Sequence, residues 1–235
     1  MKHARANSIP AVILVSLLKL QDGLNKFIDV NWREKRSPDD WGLAVTMESC
    51  ELIDSFPWKW WKNIGARPDE KNIRVELVDI LHFSLSGGMQ MHGKPLRELP
   101  AGVEDSIVSP LLETQNAVKT FRNVIALATL HRFDVVTSIV VSAAEDLGFN
   151  LVAYYVAKHT LNYIRQLGGY KEGTYKKVVG GQEDNELLHQ CIADIDFSYC
   201  VAEDHYDASW NGIMSRVYDA FNVHASDRRK VKDWM

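Results

Sequence analysis

The chain has 235 residues, 46% of them hydrophobic and 25% charged, with a formal net charge of −4 at pH 7. That length and apolar content allow one generous domain with a proper core. The acidic balance speaks against a nucleic-acid polymer as ligand, which calls for a basic surface. Three cysteines (Cys50, Cys191, Cys200) make no CxxC pair and no even framework, so buried thiols in a reducing compartment are expected.

An apolar run from Ile9 to Leu18 follows Lys2, His3 and Arg5 in the manner of a signal peptide. It is too short to span a bilayer. It also passes into KLQDGLNKF with helical periodicity and no small-residue cleavage site, which makes it a core helix of a cytoplasmic protein with no membrane partner. That first helix covers residues 8 to about 30, with Ile13, Leu14, Leu17, Leu18, Leu24 and Ile28 repeating at three and four. Gln21 and Asn25 interrupt the stripe at i, i+4. They form either a solvated edge or a pair of amides aimed into a pocket, suited to a base edge or sugar hydroxyl.

NWREKRSPDDW is polar and reads as a loop. Ser37 as N-cap and Pro38 at the first helical position start a helix that carries Trp41 to Ser55, and Phe56-Pro57 ends it. Trp58, Trp60 and Trp61 follow among Lys59 and Lys62. Three tryptophans so close cannot share one core, so each is either a packing anchor or a stacking surface for a flat ligand. A helix restarts after Arg67-Pro68 and runs to Leu85, where Gly87-Gly88 stops it. Residues 87–113 are the least periodic stretch and read as an inserted, mobile region.

Thr114–Leu130, Val135–Ala144, Leu151–Leu167, Glu186–Ala202 and Trp210–Val223 complete the helices, with a frayed basic tail at 226–235. Val178-Val179 is too short to count as a strand. The class is all-α, in one domain spanning 1–235.

The chemistry concentrates between Glu48 and Asp79. Glu48 and Glu51 stand at i, i+3, and so do Glu76 and Asp79, each pair inside an otherwise apolar helical segment. Residues three apart share a helix face, so each segment can aim two carboxylates at one point. Neither pair has a Lys or Arg one turn along, as ordinary surface ion pairs do. Four inward carboxylates need raised pKa values or a compensating cation, and an all-oxygen set favours Mg²⁺, Mn²⁺ or Ca²⁺.

A second group, Lys158, Asn162 and Arg165 at i, i+4, i+7, stands with Lys171, Lys176, Lys177 and Asn185 near a glycine-rich turn. It is either a solvated stripe or a phosphate clamp. His82 lies on the Asp79 face, as a core histidine or as a group that orients a carboxylate or meets a substrate hydroxyl. Phe83 offers an aromatic face or packs in the core.

These stretches together resemble the dimeric, all-α deoxyuridine triphosphatases within the all-α NTP pyrophosphatase superfamily. The resemblance rests on LLKLQDGLN (17–25), Glu48/Glu51 with FPWKWWK (56–62), and Glu76/Asp79 with ILHF (80–83). ALATLHRFD (126–134) and YYVAKHTLNYIRQLGGYKEGTYKKVVGGQEDN (154–185) follow in the family's order. It implies a helical bundle with a rigid core and a smaller mobile helical part, working as a homodimer.

The same resemblance implies Mg²⁺-dependent hydrolysis of dUTP to dUMP and pyrophosphate, and of dUDP, with Mn²⁺ as a substitute metal. Glu48, Glu51, Glu76 and Asp79 would hold the metal, and Glu48 or Glu51 would activate the water. Gln21, Asn25, Trp61, His82, Phe83 and Asn162 would serve the nucleoside. Lys158, Arg165, Lys177 and Asn185 would grip the phosphates. The competing readings are a dCTP or broader NTP pyrophosphatase with the same acid site, and a catalytically silent nucleotide-binding regulatory dimer.

Overall fold

The computed structural model describes residues 9–92, 100, 106–193 and 205–232. Among them are ten helices and one two-stranded hairpin, so the class is all-α. The helices are α1 (Ala11–Ile28), α2 (Trp32–Lys35), α3 (Pro38–Asp54), α4 (Glu70–His92) and α5 (Thr114–Thr129), then α6 (Phe133–Asp146), α7 (Leu151–Leu167), α8 (Asp184–Ile192), α9 (Tyr206–Ala220) and α10 (Ala225–Lys232). One cluster of buried apolar side chains runs from Ile13 to Val231. Among the described residues, no single helix is long and apolar enough to cross a membrane.

Two helices organise the rest. Along α7, 14 of 17 residues are buried. A helix buried on all sides belongs to the centre of a fold, and α7 packs against α1, α4, α8 and α9. Helix α4 lies between α3 and α6 and also touches α1 and α7. The two carboxylate-bearing helices, α3 and α4, therefore pack directly on each other, with the basic helix α7 against the second of them.

Local sequence explains most boundaries. Ser37 accepts from the Asp40 amide while Asp40 accepts from the Ser37 amide, a capping box with Pro38 at the first turn. Asp69 caps α4 by accepting from the Asn72 amide. Asn150 does the same for α7 through the Ala153 amide.

Four expectations about the elements require correction. Gly87-Gly88 does not stop α4, which continues to His92. A Cβ on Gly87 would lie 2.7 Å from the Phe133 ring, so the glycine permits close approach of α6 and the packing overrides its low helix propensity. The polar 31–41 link contains α2, because Trp32 is buried. The 226–235 tail is helical as far as Lys232, held by Val231 in the core and by Arg228 on Asp219. Val178–Val179 does pair with Gln182–Glu183 across Gly180-Gly181, whose φ values of 60° and 88° suit a tight two-residue hairpin turn.

Of the stretch read as an insertion, residues 93–99 and 101–105 lie outside the described residues. Ile107 and Leu111 are buried, and the Leu111 amide donates to Asp146 Oδ2 at 2.6 Å. Cys50 is exposed and Cys191 half-buried, which corrects the expectation of buried thiols, while Cys200 lies outside the described residues.

Candidate functional site

Because α3 and α4 are packed side by side, Glu48 faces Glu76 and Asp79. One carboxylate oxygen from each of the three lies within 4.8 Å of the other two. Burial raises the pKa of Glu48 to about 8, helped by the charges of Asp79, Glu76 and Glu51. Burial and Asp79 likewise raise Glu76 to about 7, against the opposing charge of Lys158. The hydrogen bond between their carboxyls adds to the rise at Glu48 and opposes the rise at Glu76. Three oxygen donors, one buried and two half-buried, converge on one point and form a hard, anionic set that suits an octahedral divalent ion such as Mg²⁺. The residues present fit that group. Glu51 is exposed and stands outside the trio.

The basic helix reaches the same point from the other side. Lys158, almost fully buried, sets Nζ 2.9 Å from Asp79 Oδ2 and donates to Asn185 Oδ1 at 3.1 Å. Arg165 forms a fork on the fully buried Asp184, Nε to Oδ2 at 2.9 Å and a terminal nitrogen to Oδ1 at 2.8 Å. Burial disfavours the Asp184 carboxylate, but hydrogen bonds and charge from Arg165 outweigh it and hold its pKa below the usual range. Tyr175 adds a hydroxyl donor at 3.0 Å. The 158–165 stripe is thus no solvated surface. Asn185 bridges the two cations, since Arg165 also donates to its Oδ1 at 3.3 Å.

Beside this polar cluster a cavity of about 330 Å³ opens between α1, α4 and α7. Its size is in the range of small-ligand sites. Glu48, Asp79 and Arg165 stand on its wall with Gln21, Asn25, His82, Phe83 and Asn162, so two of the carboxylates and all but Trp61 of the residues expected to serve the nucleoside share one space. Trp32, Trp41 and Tyr170 add aromatic surface. Trp41 meets Trp32 edge-on at 5.7 Å and lies 6.3 Å from Phe83.

Gln21 and Asn25 are buried, which decides against the solvated edge. Gln21 Nε2 donates to Asn25 Oδ1 and to Ser86 Oγ, each at 3.0 Å, and Asn25 Nδ2 donates to the same Ser86 Oγ at 2.9 Å. Ser86 in turn donates to the His82 carbonyl at 2.9 Å, and the Tyr155 hydroxyl donates to Gln21 Oε1 at 2.8 Å.

His82 is fully enclosed and neutral, since burial lowers its pKa to about 4. Its Nδ1 lies 2.8 Å from the Val78 carbonyl, which makes that nitrogen the donor, and Nε2 has no hydrogen-bond partner among the described residues. The ring stacks on Tyr155 at 4.3 Å.

Besides Glu51, which stands outside the trio, two predicted residues are not brought to the site. Trp61 is 56% exposed on the loop after α3, edge-on to Trp58 and Trp60. The packed α3–α4 pair leaves that loop on the outside. Lys177 is exposed at the base of the hairpin, where its carbonyl accepts from the Asp184 amide. Ser86, Tyr155, Tyr175 and Asp184 were not singled out from sequence. Ser86 continues the Asp79–His82 face by helical spacing, a signal that was legible. Asp184, next to the singled-out Asn185, has no periodic pattern around it.

A family model described as dUTPase matches residues 13–170, two thirds of the chain and every element of the site up to α7. The chain belongs to that family, the all-α dimeric dUTPases, and is accordingly a hydrolase acting on dUTP. No curated protein matches it.

Proposed function

We propose that this member of the dUTPase family hydrolyses dUTP to dUMP and pyrophosphate, and dUDP to dUMP and phosphate, with Mg²⁺ or Mn²⁺ at Glu48, Glu76 and Asp79. The observation that carries the reading is the junction of the three-carboxylate cluster with the amide-lined cavity. When bound, the ion polarises phosphate oxygens and lowers the pKa of a water.

The chain's own groups do the rest. Glu48, Glu76 and Asp79 would hold the ion as carboxylates, and Glu48, or Glu51 beside it, takes the proton from the attacking water. A bond forms from water oxygen to phosphorus, the bridge to the leaving phosphate breaks, and Lys158 and Arg165 with Asn185 face the charge on the phosphates. His82, whose Nε2 is enclosed in this structure, serves the nucleoside from the cavity wall and meets a sugar hydroxyl only if that wall shifts. Gln21 and Asn25 read the base edge, with Asn162 in support, and Phe83 and Trp41 supply its flat walls. Trp61 and Lys177 reach substrate only through movement of their loops. Assembly as a cytoplasmic homodimer of single-domain chains belongs to the same reading, supported by the family's dimeric habit.

The test is turnover of dUTP, dUDP, dCTP, dTTP and UTP by purified protein with Mg²⁺ and with EDTA. Strong preference for dUTP and dUDP, abolished by EDTA and by Glu48→Gln or Asp79→Asn, is expected. Equal turnover of dCTP would favour the broader pyrophosphatase, and tight dUTP binding without product would favour a silent binding protein.

A further inference from the structure

The buried amides raise a question that their identity alone does not answer. A side-chain amide pairs with uracil or with cytosine according to which way round it sits. Uracil offers a donor at N3 and an acceptor at O4, and cytosine offers the reverse, an acceptor at N3 and a donor at N4. With the sugar fixing the pose of the base, one amide orientation suits each.

Most of the network is indifferent to that choice. If Gln21 and Asn25 turned over together, one would still donate to the other. The Tyr155 hydroxyl, now a donor to Gln21 Oε1, could accept from the amide instead. Ser86 breaks the symmetry. Its single proton goes to the His82 carbonyl, so Oγ can only accept, and both amide nitrogens are held toward it. Turning both amides would place two carbonyl oxygens against one hydroxyl. Ser86 could then satisfy only one of them, and only by abandoning the His82 carbonyl. All four side chains are buried, so no water offsets the loss.

We infer that Ser86 is the specificity-determining positioning residue of the base site, locking Asn25 and Gln21 in the orientation that accepts uracil and rejects cytosine. In that orientation Asn25 keeps one N–H and one oxygen lone pair for the cavity, and Gln21 keeps one oxygen lone pair. This rests on the dUTPase reading for its substrate, but the lock itself is a property of binding.

Calorimetry with dUMP and with dCMP separates the two. Wild-type protein is expected to prefer dUMP. Ser86→Ala is expected to lower that preference about tenfold, the equivalent of one buried hydrogen bond, chiefly by admitting dCMP. In steady-state assays the same change appears as a lower KM for dCTP, while KM for dUTP moves less. Ser86→Thr, which keeps the hydroxyl, restores the preference. Tyr155→Phe weakens both ligands equally, because its hydroxyl serves either orientation. An unchanged preference in Ser86→Ala, with a normal thermal midpoint, overturns the lock, and so does wild-type protein that binds neither monophosphate. A wild type that prefers dUMP yet turns over no dUTP overturns the function while leaving the lock standing.

Discussion

The carboxylate cluster carries a prediction that opposes the usual effect of mutating a buried residue. Glu48→Gln removes a group whose pKa rises from 4.5 to about 8 because it is buried among like charges. A carboxylate with a raised folded pKa stabilises the fold while protonated, and that stability is lost as pH rises from its unfolded value through its folded one. A tenfold change in proton affinity between the two states is worth about 1.4 kcal/mol. The rise at Glu48 therefore sets a ceiling of about 5 kcal/mol at alkaline pH. Partial exposure of Glu48 and the proton it shares with Glu76 reduce this to about 2–3 kcal/mol.

The metal-free Gln variant should therefore be more stable than wild type at pH 8.5, by roughly 5–10 °C in Tm for a chain of this size. The gain should fade toward zero near pH 5. Mg²⁺ should reverse it, since binding at about 100 times Kd stabilises wild type by about 2.7 kcal/mol and the variant, short of one ligand, by less. Thermal melts in EDTA and in Mg²⁺ across pH 5–8.5 provide the assay. A variant no more stable than wild type at pH 8.5 in EDTA, or a difference that does not change with pH, would refute the account of a repelling, desolvated cluster.

Three further outcomes follow from the packing. Lys158→Met strips the cation from Asp79 Oδ2 and should cost about 3–5 kcal/mol in metal-free protein, with much of it regained in Mg²⁺, read from urea midpoints. Asp184→Asn leaves Arg165 buried without its fork and should cost a similar amount, about 3–5 kcal/mol. Unlike the first loss, it should be insensitive to Mg²⁺. Gly87→Ala drives a Cβ to within 2.7 Å of the Phe133 ring and should cost about 1–3 kcal/mol. Phe133→Leu in the same chain should relieve more than half of that penalty, so a double-mutant cycle that proves additive would contradict the close approach of α4 and α6.

What was legible in the sequence was whatever depends on neighbours along the chain. Helical periodicity announced α1, α3, α5 and α7, and the Ser37-Pro38 cap marked the start of α3. The i, i+3 acid pairs pointed at a shared cation because that inference needs only the helix repeat. Where the structure departs, a distant residue is responsible. Gly87-Gly88 looks like a stop until Phe133, on another helix, needs the space. Trp32 looks like loop until the core takes it. Glu51 looks equivalent to Glu48, yet the packing of α3 on α4 admits one of them to the trio and leaves the other exposed.

The cations show the same limit from the other direction. Spacing grouped Lys158 and Arg165 as a solvated stripe or a phosphate clamp, but tertiary structure gives each a carboxylate, Asp79 in one case and Asp184 in the other. These two partnerships differ in kind. Asp184 is fully buried and grips Arg165 with both oxygens, so that pair is a fixed part of the frame. Lys158 leans on a carboxylate that a metal ion would claim, so its ammonium is held a single exchange away from a phosphate. A cation that compensates the cluster when it is unloaded and turns to the substrate when it is loaded keeps the buried charges balanced in both states. That is a stronger reason for a lysine at this position than a phosphate contact alone, since a compact, flexible ammonium can change partners where a forked guanidinium would not.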